Sequence, residues 1–253
     1  MKGVILAGGT GTRLYPLTKV TNKHLLPVGK EPMIFNPIRQ LIFAGITNIL
    51  VVTGKDHMGE IVRLLGSGSD FDYNFTFRMQ ENAGGIADAL ALAKVFANGE
   101  RLVVILGDKI LTHSIRKYVD AFNKQPAGEK VLLKRVGDPE RFDVAALDEQ
   151  NKIITQIEEK PENPKSDFAV IGVYMHDPQM FEVIQSITPC ERGELKITSV
   201  NNWYVEQNAI TCNIVEGEWT DTGTFESLNH ANQMLFLSIT PSRKVRMNNA
   251  GSV

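Results

Sequence analysis

The residues most suited to chemistry crowd the start of the chain. An apolar run, Lys2-Gly3-Val4-Ile5-Leu6-Ala7, leads straight into Gly8-Gly9-Thr10-Gly11-Thr12-Arg13, and Leu14-Tyr15-Pro16-Leu17-Thr18 then continues to Lys23-His24-Leu25-Leu26-Pro27-Val28. Glycine tolerates positive φ and lets a ligand reach the backbone, so a loop of this kind can turn its N–H groups toward an anion. Arg13, Lys19 and Lys23 add positive charge within the same stretch. A backbone cradle with three cations suits a polyphosphate. The spacing is not that of the two common phosphate loops: no Lys follows Gly11, and Gly9-x-Gly11-x-Arg13 has no third glycine.

Two carboxylates could serve the same anion. Asp108 ends Leu102-Val103-Val104-Ile105-Leu106-Gly107-Asp108, and Asp221 stands in Trp219-Thr220-Asp221-Thr222-Gly223. Mg²⁺ is a hard cation that takes oxygen ligands and keeps several waters, so a carboxylate at a strand end can hold it. Singly, Asp108 reads as a turn residue and Asp221 as the N-cap of a helix starting near Phe225. Beside a phosphate loop they become a candidate metal pair. A third cluster, Ile157-Glu158-Glu159-Lys160-Pro161, sets an acceptor for hydroxyl groups next to a cation for phosphate, or is a solvated strand end. Gln80 offers a donor and an acceptor that suit the edge of a pyrimidine, and Gly84-Gly85 follows it, though a strand-end Gln is common without any such role.

These groups need a scaffold that brings loops together. Apolar runs at Gly3–Leu6, Ile49–Thr53, Phe75–Met79 and Leu102–Leu106 read as strands, with helical patterns at Met33–Ala44, Met58–Leu65 and Ile86–Phe96 between them. Such alternation implies a mostly parallel, Rossmann-like α/β sheet flanked by helices, with ligands at the carboxyl ends of its strands. The second half is more β-rich: Val131–Val136, Asp143–Leu147, Lys152–Ile157 and Phe168–Met175 read as strands, some antiparallel, with Pro161–Pro164 a polar loop. Helices are expected at Pro178–Gln185, Ile197–Glu206 and Phe225–Ser238. The organisation expected is one domain over 1–240, with a polar tail at 241–253.

The 27 basic and 29 acidic residues of this 253-residue chain lack the basic excess of a nucleic-acid binder. Cys190 and Cys212 are the only cysteines, which fits reduced thiols in a cytoplasmic protein. The first strand begins within two residues of Met1 and no apolar run nears the roughly 20 residues of a membrane span, so neither a leader nor a membrane anchor is expected. The five histidines show no metal spacing, with no Cys-x-x-Cys and no Gly-x-Ser-x-Gly, so zinc chemistry and acyl transfer have no support. His24, next to Lys23, reads as a packing residue or one that orients a neighbour.

Gly-x-Gly-Thr-Arg-Leu-x-Pro-Leu-Thr at a fixed step before Lys-x-Leu-Leu-Pro-Val resembles the sugar-phosphate nucleotidyltransferases, most of all the bacterial glucose-1-phosphate thymidylyltransferases. The motifs run in order from Met1 to about Leu237. The resemblance implies the nucleotide-diphospho-sugar transferase fold, with a nucleotide-binding half about 1–110 and a sugar-binding half about 111–225. It implies homo-oligomers, and transfer of a thymidylyl group from dTTP to glucose 1-phosphate with release of pyrophosphate. It implies nucleotide contacts from Leu6, Gly8, Gly9, Gly11, Thr12, Arg13, Gln80 and Gly85, with Arg13 and Lys23 catalytic. It implies sugar-phosphate contacts from Lys23, Glu159, Lys160, Gly172, Tyr174 and Arg192, and Mg²⁺ on Asp108 and Asp221. UTP or another hexose phosphate is the alternative within enzymes. A regulator that binds nucleotide sugars without chemistry is the alternative outside them, against which Arg13, Lys23, Asp108 and Asp221 all stand present.

Four positions depart from the family pattern. Lys109 replaces an Asn after the metal-site Asp and is expected to point away from it; Asp88 replaces a Gln, Asp143 a Gly after Phe142, and Lys196 a Glu after Arg192-Gly193-Glu194-Leu195. Little sequence follows Ser238, so the second, regulatory nucleotide site built by C-terminal helices in this family is expected to be reduced or absent.

Overall fold

The computed structural model describes residues 1–68, 73–148, 150 and 153–239. Lys152 and the expected tail at 241–253 lie outside them. The strands are β1 (Lys2–Ala7), β2 (Pro27–Val28), β3 (Glu31–Pro32), β4 (Asn48–Gly54), β5 (Asn74–Gln80), β6 (Leu102–Leu106), β7 (Lys109–Leu111), β8 (Glu129–Arg135), β9 (Asp143–Asp148), β10 (Ile153–Glu159), β11 (Phe168–His176), β12 (Ile210–Ile214) and β13 (Trp219–Asp221). The α-helices are α1 (Phe35–Phe43), α2 (Met58–Leu65), α3 (Ile86–Ala91), α4 (Lys94–Ala97), α5 (Arg116–Asn123), α6 (Met180–Ser186), α7 (Ile197–Glu206) and α8 (Phe225–Ile239).

One sheet carries nine strands, in the order β10-β9-β11-β6-β1-β4-β5, with β8 pairing β11 and β12 beside that path. β1 lies between β4 and β6, parallel to both, and β5 adds a parallel edge. β11 is antiparallel to β6, β8 and β9, and this is where the expected β-rich half joins the parallel half. The apolar runs of β1, β4 and β6 are buried along nearly their whole length, as strands covered on both faces must be. Side chains alternate between two cores. Val4, Leu50, Val52 and Val104 meet Leu90, Met180 and Tyr204 on one face, while Ile5, Ile49, Val51 and Ile105 meet Ile38, Leu41, Ile61 and Phe122 on the other.

A third, smaller core fixes the loop that matters most. Leu14, Leu26, Val28 and Met33 pack with Ile110 and with Ala231 and Met234 of α8, and Gly29 N–H donates to Asn232 Oδ1 at 2.8 Å. The segment after β1 is therefore clamped between the sheet and α8. The expected helix Ile86–Phe96 is two helices: Ala93 N–H turns back to Leu90 O at 3.0 Å and ends α3 before α4 begins. The short strands β7 and β13 and the helix α5 were not expected from the sequence.

Candidate active site

The loop after β1 emerges at the carboxyl end of the parallel strands, where the loops after β5 and β6 also lie. Gly11 takes φ 63°, and its carbonyl accepts from Leu14 N–H at 2.9 Å and Thr18 Oγ1 at 2.7 Å. These bonds fold residues 12–19 into two short 3-10 turns. Leu14 is fully buried, which leaves its neighbour Arg13 exposed over the site. Asn22 caps the next turn: its Oδ1 accepts from His24 N–H at 2.8 Å and from His24 Nδ1 at 2.6 Å. Burial, followed by the charge of Lys23, pushes His24 down to about 3, so its ring is neutral. His24 is thus a buried residue that sets the turn from which Lys23 projects.

Asp108 and Asp221 come together through the β7–β13 ribbon, in which Asp221 lies opposite Lys109, and Thr222 Oγ1 donates to Asp108 O at 3.0 Å. Lys23 Nζ lies 2.7 Å from Asp108 Oδ2. Lys109 does not point away: its Nζ stands 3.4 Å from Asp108 Oδ1 and 6.0 Å from the centre of the Trp219 ring. Strand alternation explains the correction, because Ile110 is drawn into the third core and Lys109 must take the opposite face. Burial alone would raise the Asp108 carboxyl, but the charges of Lys109 and Lys23 hold it well below the usual carboxylate range. Asp221 Oδ1 is buried without a hydrogen bond, and the nearest cation is Arg141, whose Nη2 lies 3.7 Å away.

Two adjoining chambers share Asp108 in their walls, and the larger also meets Asp221. The larger, of about 470 Å³, is lined by Arg13, Asp108, Lys109, Arg141, Asp143, Glu159, Lys160, Gly172, Tyr174, Lys196 and Asp221 among others. The smaller, of about 280 Å³, is lined by Leu6, Gly8, Gly9, Lys23, Gln80 and Gly85 among others. Both share Gly85, Ile86, Leu106, Asp108 and Glu194. Gly11 is half-buried and Thr12 exposed, and neither lines either chamber. Arg192 does not join the site either: its side chain is 70% exposed, with Glu194 at 3.7 Å.

The larger chamber carries more charge than the motifs implied. Glu159 Oε2 lies 2.8 Å from Lys196 Nζ, so the carboxylate expected to meet the sugar already has an ionic neighbour. Asp143 stands opposite Glu159 in the β9–β10 pairing. Burial first, then the charge of Glu159, pushes Asp143 up to about 6. In the smaller chamber, Gln80 Nε2 donates to Gly85 O at 3.2 Å and to Asp88 Oδ2 at 2.7 Å. Gly85 needs its glycine: φ is 93°, and an added Cβ would lie 2.5 Å from Leu195 O. Through that contact the Glu194-Leu195 segment closes over both chambers.

Comparison with known proteins places this architecture. The nucleotidyl transferase family profile matches residues 2–236. The chain belongs to the nucleotidyl transferase family. It is an enzyme of this family, and it is 42% identical to the glucose-1-phosphate thymidylyltransferase of Neisseria gonorrhoeae over 91% of this chain and 81% of that protein. It is 39% identical to the low-salt glycan biosynthesis nucleotidyltransferase of Haloferax volcanii over 93% of this chain and 66% of that protein. A Bacillus anthracis structure assigned as a glucose-1-phosphate thymidylyltransferase, crystallised with sucrose, superposes with a TM-score of 0.90 at 53% identity, covering 96% of this chain and 98% of the other. UDP-glucose pyrophosphorylase bound to UDP-glucose shares the fold, with a TM-score of 0.82 at 23% identity over 94% of this chain and 98% of that one.

For a nucleotidyltransferase, Asp108 and Asp221 are a donor set that fits Mg²⁺: two carboxylates, one with an oxygen buried and unbonded, beside space for phosphate oxygens and water. No cluster of three or more His, Cys, Asp or Glu suited to a metal occurs among the described residues. No helix among them is long and apolar enough to cross a membrane. Arg141, the inward Lys109 and the Glu159–Lys196 pair escaped the sequence reading of this nucleotidyltransferase site. The departures at 109 and 196 were the only signal for the latter two.

Proposed function

We propose that this nucleotidyltransferase moves a thymidylyl group from dTTP to glucose 1-phosphate and releases pyrophosphate. The names of the relatives from Neisseria gonorrhoeae and Bacillus anthracis support that substrate pair. The observation that carries the reading is the meeting of two chambers at Asp108, with Arg13, Lys23, Lys109 and Lys160 along their walls. A nucleotide in the smaller chamber and a sugar phosphate in the larger would bring two anions face to face, and only concentrated positive charge makes that tolerable. The same reading takes the domain as 1–240, the protein as a cytoplasmic homo-oligomer, and dTTP and glucose 1-phosphate as its partners.

In this mechanism an oxygen of the sugar phosphate attacks the α-phosphorus in line. A new P–O bond forms as the bond to the oxygen bridging the β-phosphorus breaks, and the electron pair leaves with pyrophosphate. The second ionisation of a phosphate monoester falls near ~6, so the nucleophile is already an anion at neutral pH and needs no protein base. Such transfers are catalysed by positioning and charge. Lys160 holds the incoming phosphate, Lys23 exchanges Asp108 for the two reacting phosphates, and Arg13 holds the departing pyrophosphate. Mg²⁺ held by Asp108 and Asp221 would polarise the α-phosphate.

The test is pyrophosphate release from a panel of dTTP, UTP, dCTP and ATP with several hexose 1-phosphates. The highest kcat/KM is expected for dTTP with glucose 1-phosphate. Absence of release in every combination at saturating Mg²⁺, or a higher kcat/KM with another nucleotide, would refute the reading. The Asp143 carboxyl in the larger chamber favours a second reading, a hexose other than glucose, which the same panel separates.

A further inference from the structure

Gln80 is a symmetric-looking side chain whose two ends differ only in hydrogen-bond sense. A site that uses it to choose a base must prevent the amide from turning over. In this chain the constraint is visible. Nε2 has two hydrogens; one meets Gly85 O at 3.2 Å and the other Asp88 Oδ2 at 2.7 Å. Both partners are acceptors only. Turning the amide over would set its oxygen against a backbone carbonyl and a carboxylate and leave two half-buried acceptors unpaired. The surviving orientation sends Oε1 toward the floor of the smaller chamber, where a Cβ added at Gly8 would lie 3.3 Å from it. Asp88 is itself fixed: it lies in the first turn of α3, and a Cβ added at Gly84 would fall 2.6 Å from its Cγ.

We infer that Asp88 is a positioning residue for nucleotide choice, holding Gln80 so that only an acceptor faces the base. The inference rests on the proposed nucleotide-binding reading and deepens it. An acceptor at that point pairs with a base edge that carries an N–H, as N3 of thymine and uracil does. It opposes cytosine, whose N3 is an acceptor. Asp88 therefore selects the class of pyrimidine without touching it. It does not separate thymine from uracil, which share that edge.

The experiment measures dTTP and dCTP binding by calorimetry, and their kcat/KM with glucose 1-phosphate, in the wild type, Asp88→Ala and Asp88→Asn. Leaving a half-buried polar group wrongly paired supports a preference for dTTP of about tenfold in the wild type. Asp88→Ala frees the amide to turn, so the dTTP:dCTP ratio should fall to near unity, through KM rather than kcat. Asp88→Asn keeps an acceptor at the same place and should restore most of the ratio, which a merely structural role would not do. An unchanged ratio in Asp88→Ala with normal thermal stability overturns the inference, as does equal binding of both nucleotides by the wild type. Selective binding without pyrophosphate release would sustain it while refuting the proposed reaction. Binding of neither nucleotide refutes both.

Discussion

Replacing Lys23 by Met removes a charge and keeps most of the apolar stem of the side chain. Its ammonium lies 2.7 Å from Asp108 Oδ2, with the two side chains 14% and 12% exposed. Breaking a fully buried ion pair costs about 3–5 kcal/mol. Here Lys109 stays 3.4 Å from the other oxygen of Asp108. With that second cation and an open chamber, the loss should be nearer 1–2 kcal/mol, or roughly 2–8 °C in Tm for a chain of this size. The catalytic loss should be far larger. Removing one preorganised group from a developing charge costs about 10²–10³ in kcat. Pyrophosphate release at saturating substrates and a thermal melt, both on Lys23→Met, separate the two roles. A kcat within about threefold of wild type, with the Tm loss present, would show that Lys23 only steadies Asp108.

Further outcomes follow from other groups. Asp221→Asn and Lys109→Asn should move direct Mn²⁺ binding to the free protein, followed by electron paramagnetic resonance, in opposite directions: weaker when an unbonded carboxylate oxygen is removed, tighter when a neighbouring ammonium is. Equal shifts of one sign would contradict the site. Asp143→Asn should make the change of the sugar-phosphate KM around pH 6 shallower, leaving only the substrate phosphate's own ionisation there, because burial and Glu159 raise that carboxyl to about 6. A profile identical to wild type would show that Asp143 does not face the sugar. Glu129 is fully buried, and burial, then Asp177, raises its carboxyl well above the ordinary value. The folded state then holds a proton that the unfolded chain releases above about pH 4.5, so this stabilisation is lost as pH rises. Glu129→Gln should gain Tm over wild type between pH 5 and 8, and a constant difference across that range would refute it.

The parallel half of the sheet was legible because β1, β4 and β6 are continuous apolar runs ended by Gly or a polar loop. The places of the loop after β1, Gln80, Asp108 and Asp221 followed, because each sits at a strand end. What was illegible arises from pairing rather than pattern. β7 and β13 have three residues each, too few for any period, yet their ribbon decides that Lys109 faces the site. The break between α3 and α4 falls in Leu92-Ala93, where no Gly or Pro announces it. Arg192 carried the resemblance but lies on the surface, while the neighbouring Lys196, an apparent departure, reaches Glu159 across the chamber.

The central claim is that cations from separate loops hold two phosphates against each other. It is tested most directly by a crystal structure with dTTP and a non-transferable phosphonate analogue of glucose 1-phosphate. The claim requires Lys23 Nζ between the α-phosphate and the phosphonate, within hydrogen-bond distance of both, with Arg13 on the β- and γ-phosphates and Lys160 on the phosphonate. Both ligands bound with Lys23 still on Asp108 and Arg13 turned to solvent would contradict it.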